Sequence, residues 1–367
     1  MSFAGLSLLP RLRPDLRLRL RTHLRPGRRP GRHLITAGLL VLAVLPLPLL
    51  AAEVNLYSAR SEELIKPLLD RFTQETGIKV NLVTGKEDAL LQRLQSEGLN
   101  SPADLLITTD VGRLHRAKEA GVTQAVSSAR LDSAIPAAYR DPTGHWFGLT
   151  LRARPILYVA GKVKAEELST YEDLADPKWK GRVCIRSSDN VYNQSLVASL
   201  IAADGAEATE TWAKGLVANL ARPPKGGDRD QILAAAAGQC DLAIANTYYL
   251  AGMLIAPEAN QREAAAKMKV FWPNQAGRGV HVNVSGAALT QGAKNRAEAI
   301  QLLEYLSGDQ AQTWYAETNG EYPVRPGVPV SATLAAWGEF KADGINLTRL
   351  GELNGEAVKL MDRAGWK

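Results

Sequence analysis

The chain is short of the residues that usually announce a catalyst. Only two cysteines, Cys184 and Cys240, occur in 367 residues. That excludes a disulfide-dense scaffold and a zinc site built from paired C-x-x-C motifs. A C-x-x-C redox motif is missing as well. Of five histidines, only His115, His145 and His281 fall after residue 52. None is spaced as a zinc pair, and no H-E-x-x-H occurs. No G-x-x-x-x-G-K-[ST] or G-x-G-x-x-G stands at a strand-to-helix turn. Ser285-Gly286 lacks the preceding glycine of a hydrolase nucleophile elbow, because position 283 is Asn. These absences leave no signature of an enzyme. After residue 50, no apolar run is long enough to span a bilayer.

The positive charge is also less than it seems. The formal net charge of +6 rests on 44 Lys+Arg against 38 Asp+Glu. Nine of the arginines (Arg11, Arg13, Arg17, Arg19, Arg21, Arg25, Arg28, Arg29, Arg32) precede residue 34, with one acid, Asp15. Without residues 1–52 the count is 35 basic and 37 acidic. A nucleic-acid reading of the basic pI therefore fails. The arginines are followed by an apolar run at 34–50 (LITAGLLVLAVLPLPLL) and by Ala51-Ala52-Glu53. Basic, apolar and small-residue regions in that order predict an export signal over 1–52, with a retained N-terminal anchor as the alternative. Arg28-Arg29 is a poor twin-arginine match because Pro30-Gly31 follows. The remainder is expected outside the cytoplasm, where the two cysteines are free to pair. They sit in two short strand-like runs, so a disulfide and two buried thiols are both open readings.

What the chain does have is alternation. Val54-Asn55-Leu56-Tyr57 precedes Leu64, Ile65, Leu68, Leu69 and Phe72, spaced as one helix face. Val80-Asn81-Leu82-Val83 and residues 104–108 (DLLIT) are followed by similar helical patterns. The pattern is βαβ and predicts an α/β protein with a mainly parallel sheet. Two long extended stretches, 147–159 and 280–289, bracket a second α/β block. They read as two hinge crossings between two domains, 53–150 with 284–367 and 151–283, which permits closure over a ligand cleft.

Within this frame the tyrosines carry the chemistry. Tyr248-Tyr249 follow a strand-like run at 241–245 and open a helical pattern. Tyr192 follows another strand-like run and the polar turn Ser188-Asp189-Asn190. Ligands of open α/β sheets bind at the C-terminal ends of strands. Three phenols there suit a hard trivalent cation, since hard cations prefer oxygen and a bound cation strips phenolic protons. Helix N-termini nearby favour an anion. Arg60, at the end of the first strand, is placed to hold one by a bidentate contact. Taken alone, paired tyrosines also suit an ordinary core with polar tips.

The segments Leu56-Tyr57-Ser58-Ala59-Arg60, 72–80 (FTQETGIKV), Ser101-Pro102-Ala103-Asp104, Trp146-Phe147-Gly148, Trp179-Lys180-Gly181-Arg182, Tyr192-Asn193-Gln194-Ser195, Asn246-Thr247-Tyr248-Tyr249 and Phe271-Trp272-Pro273-Asn274 occur in this order. With them the chain resembles the periplasmic ferric-iron-binding proteins of ABC importers, a bacterial transferrin-like group of type II solute-binding proteins. The resemblance implies the two-domain periplasmic binding protein fold, with iron held in the cleft and delivered to an inner-membrane permease by a monomer. It implies Tyr192, Tyr248 and Tyr249 as Fe(III) ligands, Arg60 as the holder of a synergistic carbonate or bicarbonate, and Arg152 as a second anion-binding residue, with Arg154 the alternative. Many relatives place a histidine ligand directly after the first-strand arginine. Here Ser61-Glu62 stand there, which implies the subgroup with three tyrosines and an anion. Glu62 is expected as a first-turn helix acid rather than a ligand. Asn193 and Asn246 are candidates to orient the phenolates, with a purely structural role the alternative. His281 and the tryptophans Trp146, Trp179 and Trp272 are expected to be structural. The alternative functions are binding of a polyamine or an oxyanion and, in another class, an exported α/β hydrolase.

Overall fold

A computed structural model describes residues 52–367. Residues 1–51, which carry nearly all of the expected export signal, lie outside the described residues. Among the described residues, ten strands form two sheets. They are β1 (Glu53–Ser58), β2 (Lys79–Thr84), β3 (Leu105–Thr109), β4 (Phe147–Ala153), β5 (Ile156–Val159), β6 (Val183–Cys184), β7 (Leu242–Ile244), β8 (Met268–Phe271), β9 (Val282–Leu289) and β10 (Tyr322–Pro323). The first sheet has the order β10-β4-β9-β3-β1-β2 and the second β6-β7-β5-β8.

The βαβ pattern works as expected at the start of the chain. The helix Glu62–Thr76 buries Ile65, Leu68, Leu69 and Phe72 on the sheet. Each such side chain contributes roughly 1.5–3 kcal/mol by burial. The helix stops at Gly77, whose φ of 75° closes the last turn in a left-handed conformation that favours glycine. Strands β1, β2 and β3 are mutually parallel.

The expectation of a mainly parallel sheet is corrected. Only β1–β2, β1–β3 and β6–β7 are parallel pairs, while β3–β9, β4–β9, β4–β10, β5–β7 and β5–β8 are antiparallel. The two long extended stretches are the cause. They contribute strands as well as crossings, and no crossover helix sets their direction. The first stretch divides at Arg154-Pro155 into β4 and β5, which join different sheets. The second supplies all of β9, paired with β4 through Arg152↔Asn283 and Ala153↔Val282. The chain thus passes between sheets twice, side by side, and the Arg154 N–H donates to the His281 carbonyl at 3.0 Å. The C-terminal helices Thr348–Glu352 and Asn354–Arg363 pack on the helix Val191–Asp204 that leads away from the second sheet.

Cys184 at the end of β6 and Cys240 just before β7 are joined by a disulfide, Cα to Cα 5.9 Å. The bond links positions 56 apart in sequence and ties together the two strands that lead to the tyrosines. Replacing both cysteines by serine should lower unfolding stability by roughly 2–4 kcal/mol. Urea unfolding of the double variant beside the oxidised protein measures this, and equal midpoints would refute it.

Candidate metal centre

The three tyrosines stand in the first turns of two helices. Tyr192 is the second residue of the helix Val191–Asp204, and its N–H is capped by the Asn190 side-chain oxygen at 3.1 Å. Tyr248 and Tyr249 are the second and third residues of the helix Thr247–Leu254. These helices follow β6 and β7, which are parallel neighbours. Adjacent parallel strands therefore deliver both helix N-termini to one end of the sheet. There the Tyr248 hydroxyl donates to the Tyr192 hydroxyl at 3.1 Å. The Tyr248 and Tyr249 rings lie 4.3 Å apart, tilted by 37°.

This setting resists ionisation of the phenols when no cation is present. Burial, followed by the charges of Tyr192 and Tyr249, holds the Tyr248 hydroxyl well above the ordinary phenol value. Burial, followed by Tyr192 and Asp228, pushes Tyr249 up to about 12. A strong positive charge among the three oxygens would reverse both shifts.

Arginines surround the phenols. Arg60, Arg152 and Tyr248 line one cavity of about 210 Å³, together with Ser285, Asn319 and Glu321. The Arg60 guanidinium is buried. It donates to Thr150 Oγ1 at 2.9 Å and pairs with the Glu321 carboxylate at 2.7 Å. Arg152 donates to Ser285 Oγ at 3.0 Å and lies 3.5 Å from the Asp110 carboxylate. Its guanidinium also stands over the Tyr192 ring, 5.4 Å from the centroid. Its Nε and Nη2 are buried and make no hydrogen bond. Buried donors of this kind cost free energy until an acceptor arrives.

Arg154 has a different task. It is bound to Asp228 at 2.8 Å, to Asn246 Oδ1 at 2.9 Å and to Asn193 Oδ1 at 2.7 Å. Of the two readings of Asn193 and Asn246, the structural one fits: neither amide bonds a tyrosine hydroxyl. Asn193 Nδ2 instead donates to the Arg186 and Ser187 carbonyls. A buried guanidinium with two free side-chain oxygens beside it captures them first. Arg154 thereby ties the first turn of each tyrosine helix to one fixed point, and Asp228 also accepts from the Asn246 N–H at 3.0 Å.

The sequence reading missed three of these residues. Asp228 is fully buried at the start of its helix and balances Arg154. Arg186 stands 5.6 Å from the centroid of the Tyr192 ring. Glu321 pairs with Arg60 across the cavity. An arginine directly after a strand that leads to Tyr192 was a usable signal for Arg186. Nothing local marked Asp228 or Glu321. Glu62 is exposed in the first turn of its helix. His281 is buried and pushed down to about 3 by burial and by Arg154, Arg152 and Arg278, so it is neutral. Trp146 and Trp179 are core, and Trp272 packs on Phe340 at 4.4 Å. Among the described residues, no group of three or more His, Cys, Asp or Glu side chains is arranged to hold a metal.

Residues 68–342 match the family model of bacterial extracellular solute-binding proteins. Iron uptake protein A1 of Synechocystis sp. is 54% identical over 315 residues, spanning 86% of this chain and 88% of its own length. The Fe(3+)-binding periplasmic protein of Serratia marcescens is 28% identical over 85% of this chain and 90% of its own. The solved structure of a Trichodesmium relative in complex with iron and citrate superposes with a TM-score of 0.85. It is 51% identical and covers 86% of this chain and 100% of its own.

Proposed function

The chain belongs to the bacterial extracellular solute-binding proteins, and we propose that it captures Fe(III) outside the cytoplasm and delivers it to an ABC importer. It works as a type II periplasmic binding protein with two domains, which we delimit as 53–150 with 284–367 and 151–283. Tyr192, Tyr248 and Tyr249 are the metal ligands. Arg60 and Arg152 hold a carbonate or bicarbonate that completes the site. The protein acts as a monomer in the periplasm and turns over no substrate.

The observation that carries this reading is the meeting of the phenols. Two hydroxyls from different helices lie 3.1 Å apart, the third ring stacks beside them, and a buried guanidinium with free donors faces them. Three phenolates cancel the charge of a trivalent ion, and their hard oxygens suit it. A polyamine fits poorly, because two buried guanidinia line the cavity against one carboxylate. An oxyanion alone fits the arginines but leaves the three phenols without a role.

Loading the metal-free protein with ferric iron and bicarbonate should produce a broad visible absorption from phenolate-to-iron charge transfer, saturating at one iron per chain. Spectrophotometric titration checks this. A protein that stays colourless under these conditions is not an iron carrier.

A further inference from the structure

We propose that Glu321 selects the anion that accompanies the metal, admitting a small singly charged one and disfavouring a polycarboxylate. This rests on the iron reading above and adds a residue that reading does not use. The Glu321 carboxylate is buried and points into the cavity lined by Arg60, Arg152 and Tyr248. One oxygen lies 2.7 Å from Arg60. The other accepts from Ser285 Oγ at 3.4 Å, and that hydroxyl in turn accepts from Arg152. The carboxylate therefore links the two guanidinia that would otherwise receive an anion.

Backbone contacts fix it there. Its own N–H donates to the Tyr315 carbonyl at 3.3 Å. The next residue, Tyr322, pairs with Leu151 in the sheet, which holds Glu321 beside Arg152. The preceding residue, Gly320, has a φ of 62°, and a Cβ there would come within 2.8 Å of Ala251 in the tyrosine helix Thr247–Leu254. The carboxylate is thus built into the site and is not a swinging surface acid.

Charge then decides which anion fits. The cavity lining carries two guanidinia and one carboxylate, and the buried Asp110 carboxylate 3.5 Å from Arg152 offsets the second guanidinium. Three phenolates already cancel a trivalent metal. Bicarbonate then adds one negative charge, whereas citrate, with three, leaves a larger excess of negative charge in a buried space. Repulsion from Glu321 grows in proportion to the charge of the anion. Citrate accompanies iron in the Trichodesmium relative, so it is the informative competitor.

The test compares the wild-type protein with Glu321→Gln, reading the charge-transfer band as bicarbonate or citrate is varied at one pH. Chelation of iron by citrate in solution is the same for both proteins and cancels in the ratio. The variant should need about tenfold less bicarbonate and on the order of a thousandfold less citrate for half-loading. Glu321→Asp keeps the charge but draws it back from Arg60. It should shift the same ratio in the same direction by less, and it decides the matter if the glutamine variant does not fold. Equal shifts for both anions, or none in either variant, would overturn the role of Glu321. A wild-type protein without a band in either anion would overturn the iron reading itself, and the selectivity with it.

Discussion

Replacing Tyr248 and Tyr249 together by phenylalanine should abolish ferric-iron binding and its visible colour while the fold persists. The double change removes two of three phenol oxygens and two of the three negative charges that would balance the metal. Neighbours that merely orient metal ligands cost about 10–100-fold in affinity when removed. Two direct ligands should therefore cost at least about 10⁴-fold, beyond recovery at micromolar protein. The rings themselves remain. Phenylalanine keeps the stacked pair, whose centroids lie 4.3 Å apart, and the Arg154 clamp on Asn246 does not involve a phenol. Thermal unfolding of the metal-free variant should stay close to that of the metal-free parent. Retained colour in the double variant would place the metal elsewhere.

The positions of the three proposed ligands were legible because they depend on local rules. A strand, a polar turn and a tyrosine at the start of an apolar helix put a phenol at the end of a sheet, and the chain does this twice. Convergence needed only that the two strands be neighbours, and β6 and β7 are. The arginines were half legible. Arg152 and Arg154 stand two apart in one extended stretch, so alternation along the strand sends both to the same side. They part because β4 ends at Ala153. Arg152 remains in the first sheet and faces the cavity, while Arg154 turns towards the second and meets Asp228, 74 residues away. No sequence spacing foretells that pairing. The same holds for Glu321 and Arg60, and for the antiparallel partners of β4 and β9. In each case one partner comes from a distant part of the chain, and for the two ion pairs burial of a charge selects the match.

Iron retention should fall steeply as the solution is acidified, by at least about 100-fold in apparent affinity per pH unit below neutrality. The sign follows from the metal-free state. Burial holds Tyr248 and Tyr249 above the ordinary phenol value, Tyr249 at about 12. Near pH 7 both carry their protons, and binding as phenolates must expel them. Each proton released makes the apparent constant rise tenfold per unit of pH. Two protons give about 100-fold, so lowering the pH from 7.5 to 5.5 weakens binding by about 10⁴-fold. A carboxylate site would behave otherwise, since carboxylates are already ionised at neutral pH and release nothing. The charge-transfer band followed against pH at fixed anion measures the slope. Proton release per iron in weakly buffered solution, corrected for the iron salt alone, gives the count directly. Tyr192 is tested by the same count: a third phenolate raises it by one, and Tyr192→Phe should remove that one. Fewer than two protons per iron would mean that Tyr248 and Tyr249 do not both bind as phenolates, whatever the colour.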